Sequence, residues 1–224
     1  MLTGRVIRLG DFRAADLADL LKRLVSRSGE PVIRQAVLQA MRIMGRQFVM
    51  GRDIESALDR ARDSEARGYR YSYDMLGEAA RTAKDAERYF DAYTAAIGAV
   101  GKAADGGPID GPGISVKLSA LHPRYEFAQR DRVADEVLPR IALLARLARD
   151  ESIGLCIDAE EADRLEPSLD VIAGLMSDPA LAGWDGLGLA VQGYQKRARP
   201  LVDWLVGQAR AHRRRLMVRL TKGA

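Results

Sequence analysis

The sequence predicts an α/β chain of the (β/α)8 TIM-barrel type, incomplete with about five strands present and preceded by an N-terminal helical segment. Three observations lead there. Apolar residues recur at spacings of three and four through the first 67 residues. From Gly68 onward, short runs of alternating polarity are separated by long amphipathic stretches. The strand-like runs also share one phase, with large apolar residues on one side and small or polar residues on the other.

Leu17, Leu20, Leu21 and Leu24, then Val32, Ala36, Val37, Ala40, Met41 and Met44, mark two or three helices, with Met41 and Met44 expected in a core. Pro31 suits a first helical turn, and Gly45 and Gly51 suit breaks. Asp53 before IESALDRARDSEAR, closed by Gly68, supplies a cap and a stop. The expected organisation is a helical segment over 1–67 and a barrel portion over 68–224. The strand runs are GYRYSYD (68–74), GISVKL (113–118), IGLCID (153–158), GLGLAVQ (186–192) and RLMVRL (215–220). Stretches such as EAARTAKDAERYFDAYTAAIGAV, RVADEVLPRIALLARLA and PLVDWLVGQARAH are each long enough to bring the chain back, so that the next strand runs parallel.

Such alternation leaves a doubly wound open sheet or a barrel, and the strand phase separates them. Tyr69, Tyr71 and Tyr73 oppose Arg70, Ser72 and Asp74; Ile114, Val116 and Leu118 oppose Ser115 and Lys117. The same holds for Ile153, Leu155 and Ile157 against Gly154, Cys156 and Asp158, for Leu187, Leu189 and Val191 against Gly188, Ala190 and Gln192, and for Leu216, Val218 and Leu220 against Met217 and Arg219. A parallel sheet covered by helices on both faces needs large apolar residues on both. The asymmetry therefore favours a barrel whose interior opens into a polar pocket at the carboxyl ends of the strands, where Asp74, Lys117, Asp158, Gln192 and Arg219 fall.

Composition narrows the function. Charged residues make up 29% and hydrophobic residues 47%, which excludes a disordered or low-complexity chain. Cys156 is the single cysteine, so an internal disulfide is excluded, no metal framework is visible and a reducing compartment is the default. The first residues lack the order of a secretory signal and no apolar run approaches a membrane span, so a cytoplasmic location is expected. The net charge is only +4, and Arg213, Arg214 and Arg215 have no aromatic residues interleaved. They read as a solvated helix end, and no nucleic-acid partner is expected for this chain.

Among candidate residues, Lys117 stands inside a strand where its ammonium needs an anion or water. It could bind a substrate carboxylate or, with a depressed pKa, form a Schiff base with Asp158 as proton partner. Asp158 lies on the inward phase, whereas Glu161 suits the first turn of the next helix. Arg219, Lys222, Gly223 and Ala224 form a basic strand end followed by a glycine, suited to a phosphate or an electron-rich ring. Gly186-Leu187-Gly188 lacks the third glycine of a dinucleotide fingerprint. His122 reads as structural.

Together, SYDMLGEAA (72–80), GISVKLSALHPRYE (113–126), IDAEEADRLE (157–166), GLGLAVQGYQKRA (186–198) and VRLTKGA (218–224) closely resemble the proline dehydrogenase domain of the bifunctional proline utilization A flavoenzymes, and the resemblance reaches back through GEPVIRQAVLQAMRIMGRQFV (29–49). It implies a distorted barrel that binds FAD noncovalently and oxidises L-proline to Δ1-pyrroline-5-carboxylate, hydride passing to flavin N5 and electrons to a membrane quinone. By the same matching, Lys117 pairs with the proline carboxylate and Asp158 shapes the substrate and flavin pocket. Gln192 hydrogen-bonds the flavin ring, Arg219 lies near N5, Lys222, Gly223 and Ala224 contact the cofactor, and Glu78 is the gate carboxylate. Cations there would stabilise the reduced flavin and fix the substrate ring. Gly193 and Thr221 stand where the family usually has Ala and Val. The resemblance is to a member truncated after the fifth strand, so this chain alone is expected to be inactive, to bind FAD weakly or not at all, and to self-associate through unpaired strand edges. The parent is expected in the cytoplasm, peripheral at the inner membrane. A Schiff-base lyase on the same barrel and a non-catalytic association fragment are the alternatives.

Overall fold

The computed structural model describes residues 30–76 and 79–223. The chain divides into two compact units, Met1–Arg52 and Asp53–Ala224. In the first, helix α1 spans Glu30–Phe48. Its Met41 and Met44 are 60% and 61% exposed, so the core expected around them is not built by the described residues. Periodicity identified an apolar face there but not a partner for it.

The second unit opens with helix α2 (Ile54–Glu65), whose Asp53 carboxylate accepts from the Ser56 N–H at 2.9 Å while Ser56 Oγ accepts from the Asp53 N–H at 3.3 Å, a reciprocal cap. It packs on helix α3 (Ala83–Ala103), which is capped in the same way by Thr82 and Asp85. Helices α4 (Leu138–Asp150), α5 (Leu165–Ser177) and α6 (Ala198–Ala211) follow. They alternate with strands β1 (Ser72–Asp74), β2 (Gly113–Val116), β3 (Gly154–Ile157), β4 (Leu187–Gln192) and β5 (Met217–Thr221). All strand pairs are parallel and the spatial order is β1-β2-β3-β4-β5. A doubly wound sheet reverses direction partway; strands added in chain order follow a barrel wall.

The phase read from sequence holds where helices cover the sheet. Ile114, Val116, Leu155, Ile157, Leu187, Leu189 and Val191 are buried, along with Ile97 and Val100 of α3, Ile141 and Leu144 of α4, and Ile172 and Leu175 of α5. It fails at both ends, where Tyr69, Val218 and Leu220 are exposed. On the inner face one row of register partners runs Asp74, Ser115, Cys156, Gly188, Met217. Two positions on stand Lys117, Asp158, Ala190 and Arg219.

Two charged features are structural. Arg214 is not a solvated helix end: its guanidinium donates to the Leu175 and Asp178 carbonyls at 3.0 and 2.6 Å, satisfying the end of α5. Buried His122 accepts from the Arg124 N–H on Nδ1 at 3.1 Å and therefore donates from Nε2 to Glu136 at 2.7 Å. Glu136 sits in a π-helical turn, Val133–Val137, that precedes Pro139. Hydrogen bonds from Arg132 first, then His122, pull its carboxyl from 4.5 down to about 2. Its folded pKa is depressed, so it stabilises the fold above 4.5 and loses that contribution as the pH falls towards 2. Urea unfolding of Glu136→Gln should show the variant less stable than wild type at pH 7, with the gap closing near pH 2; an equal gap at both pH values would contradict this.

No described helix is long and apolar enough to cross a membrane.

Candidate functional site

Strand alternation and a common register bring the inward residues at the strand ends together. Lys117 follows β2 with extended backbone, and its Nζ donates to both carboxylate oxygens of Asp74 at 2.8 and 2.9 Å and to Asp158 at 2.9 Å. Asp158 follows β3 and is fixed by its own N–H on the Val116 carbonyl at 3.0 Å. Its other oxygen accepts from Arg219 Nη2. Arg219 Nη1 donates to Ser115 Oγ at 3.1 Å, and Ser115 Oγ shares a hydrogen bond of 2.9 Å with Ser72 Oγ. A single network thus links β1, β2, β3 and β5. It can cross β4 because the positions in its way are Gly188 and Ala190. A Cβ at Gly188 would stand 2.9 Å from the Met217 carbonyl oxygen.

The electrostatics decide the role of the lysine. Burial by itself pushes the Lys117 ammonium down, but hydrogen bonds and charge from Asp74 and Asp158 outweigh it, and the net shift is upward from 10.5. A Schiff-base nucleophile needs the neutral amine. Lys117 is instead a fixed cation, 17% exposed, suited to a carboxylate. Behind it, the fully buried Tyr93 of α3 accepts from the Lys117 N–H at 3.3 Å, and burial pushes its phenol up to about 12. Cys156, on the same inner face, is pushed up to about 11 by burial and is no thiolate nucleophile at neutral pH.

Of the other residues expected at the site, Gln192 ends β4, is buried, and donates from Nε2 to the Glu160 carbonyl at 2.6 Å, outside the lysine network. The Lys222 carbonyl accepts from the Tyr194 N–H at 3.1 Å. Gly223 has φ +146 and packs under the Tyr194 ring, where an added Cβ would lie 2.2 Å from the ring, so this position is glycine for backbone and space together. Glu78 and Ala224 lie outside the described residues. Glu161 pairs with Arg164 at 3.0 Å, in keeping with its structural reading.

Ser72, Ser115, Tyr93 and Glu160 were not singled out from sequence. Glu160 ties two loops, its carboxylate accepting from the Ser119 N–H at 3.0 Å and from Arg164 at 2.9 Å. The polar phase of Ser72 and Ser115 was the one available signal. Among the described residues no group of three or more His, Cys, Asp or Glu is placed to hold a metal. An electron-rich group could rest against the adjoining ends of β4 and β5, where Arg219 is 43% exposed, Gln192 pairs in register with Thr221, and Lys222 follows in sequence.

Comparison with known proteins gives a match to the family described as "Proline dehydrogenase" over residues 57–224, and to the "DNA-binding domain of Proline dehydrogenase" over residues 1–48. The second match runs against the expectation of no nucleic-acid partner, which weighed the basic cluster at the opposite end of the chain. The bifunctional protein PutA of Salmonella typhimurium is 55% identical over 225 residues, covering 100% of this chain and 17% of the relative. PutA of Rhizobium meliloti is 55% identical over 208 residues, 93% of this chain and 17% of the relative. The chain therefore spans about a sixth of the length of these relatives. A crystal structure of a mutant Bradyrhizobium japonicum PutA superposes with a TM-score of 0.76 at 54% identity, covering 99% of this chain and 22% of that one. PutA of Bdellovibrio bacteriovorus, inactivated by N-propargylglycine, shares the fold with a TM-score of 0.80 at 22% identity, over 86% of this chain and 21% of that one.

Proposed function

The chain belongs to the proline dehydrogenase family, and from that premise we propose that the network around Lys117 is part of a site oxidising L-proline to Δ1-pyrroline-5-carboxylate. The observation that carries this reading is the ammonium of Lys117, held by Asp74 and Asp158 on the inner face of the sheet and kept charged at neutral pH by them.

Lys117 takes the substrate carboxylate, which orients the ring so that the carbon beside nitrogen faces the acceptor. Asp158 bridges Lys117 and Arg219 and sets their separation. When bound, FAD supplies the acceptor for the hydride that leaves that carbon. The residues present fit such a group: Arg219 offers a partly exposed cation and Gln192 an amide, with Lys222, Gly223 and Ala224 following β5 in sequence. Glu78 serves as the gate carboxylate. Electrons pass on to a quinone, the whole protein working in the cytoplasm and peripherally at the inner membrane. No observation favours a lyase, and borohydride should trap no carbonyl substrate on Lys117.

The 224-residue chain on its own holds FAD poorly and turns over little, and it self-associates through Val218 and Leu220, bare on the outer face of β5. Gel filtration of the chain with added FAD, followed by an absorption scan, should find no retained flavin, whereas the flavin of the full-length protein should bleach with anaerobic proline. Retained, proline-bleached flavin on the isolated chain would sink the first statement. An unbleached full-length protein would sink the assignment itself.

A further inference from the structure

We propose that Ser115 is the positioning residue for Arg219, its hydroxyl oxygen fixing the plane in which the guanidinium is presented over the inner face. The proposal rests on the reading of Arg219 as a cofactor contact and adds to it the residue through which that contact is oriented. Arginine only donates, so Ser115 Oγ accepts the Nη1–H at 3.1 Å. Asp158 holds the other terminal nitrogen, Nη2. A guanidinium held through one nitrogen can pivot about that bond, and a second anchor from a different strand removes the freedom.

The site is built for this crossing. Ser115 is 1% exposed, so its hydroxyl has no water to turn to, and it shares a second hydrogen bond with Ser72 Oγ of β1 at 2.9 Å. Register places Ala190 directly opposite Arg219, and Gly188 opposite Cys156. A side chain longer than alanine at 190 would stand between the guanidinium and the two strands that hold it. Arg219 nevertheless stays 43% exposed.

The test is a double-mutant cycle in the full-length flavoprotein, reading the midpoint potential of the bound flavin together with kcat and KM for proline. Ser115→Ala should move the potential in the direction in which Arg219→Met moves it, and lower kcat about fivefold with KM within about twofold. In the Arg219→Met background, Ser115→Ala should change neither. A wild-type potential in Ser115→Ala beside a shifted one in Arg219→Met would overturn the positioning role alone, as would equal losses from Ser115→Ala in both backgrounds, which mark a packing defect. An unshifted potential in Arg219→Met would remove the cofactor reading of that residue and the proposal with it. Should Ser115→Ala fail to hold flavin, Ser115→Cys, similar in size but a weaker acceptor, is read against the same criteria.

Discussion

Lys117→Met in the full-length protein should lower kcat/KM for proline by about a thousandfold. Truncating one member of a buried charged pair costs about 2–5 kcal/mol, and each 1.4 kcal/mol is a factor of ten. Methionine keeps the length and the apolar stem, so what is lost is the cation. The loss acts twice. The substrate carboxylate has no ammonium to meet, and Asp74 and Asp158, which both bond that ammonium, are left facing it as anions. KM should rise and kcat should fall together, because the same contact binds the ring and aims it. Since the folded pKa of Lys117 is raised above 10.5, its pairing stabilises the fold below that value and is lost only in strong alkali. Wild-type activity should therefore show no ionisation of this lysine at neutral pH. Steady-state turnover with a quinone acceptor is the measurement, and a variant within threefold of wild type would remove Lys117 from the site.

The second large effect is on stability. Gly154→Val should destabilise the second unit by about 3 kcal/mol, at the upper end for overpacking. A Cβ there would stand 2.8 Å from the Pro108 carbonyl oxygen and 3.0 Å from the terminal carbon of Met217. The methionine can swing away. The Pro108 carbonyl belongs to the turn Gly107–Asp110, entered through Gly106 and Gly107 at φ +85 and +75, and cannot withdraw without lifting that turn off the foot of β3. Urea unfolding followed by circular dichroism would read the change as a lowered midpoint; an unchanged midpoint would mean that the turn yields freely.

Where the sequence could be read, the reason was local periodicity. Alternation and helical spacing place Lys117, Asp158 and Arg219 on one inner face before any coordinate is known. The same alternation says nothing of what lies over a face, which is why Val218 and Leu220 of β5, and Met41 and Met44 of α1, are exposed where burial was expected. Reach across strands was equally out of sight. That Arg219 passes Ala190 to find Ser115 depends on register, and that the Tyr93 hydroxyl arrives at the Lys117 N–H depends on how α3 lies on β2. Arg214 read as solvent-facing because a run of arginines carries no sign of the two carbonyls at the end of α5 that it binds.

The strand order has a consequence for how the protein is made. In the described sheet each strand after β1 pairs with the one synthesised just before it, so these strands find a partner already translated. Lys117 and Asp158 are 41 residues apart and can meet once β3 has emerged. Arg219 lies 61 residues beyond Asp158, about 3–12 s later at ordinary elongation rates of about 5–20 residues per second. If assembly follows synthesis, the arginine arrives last, at a carboxylate and a hydroxyl on strands already made.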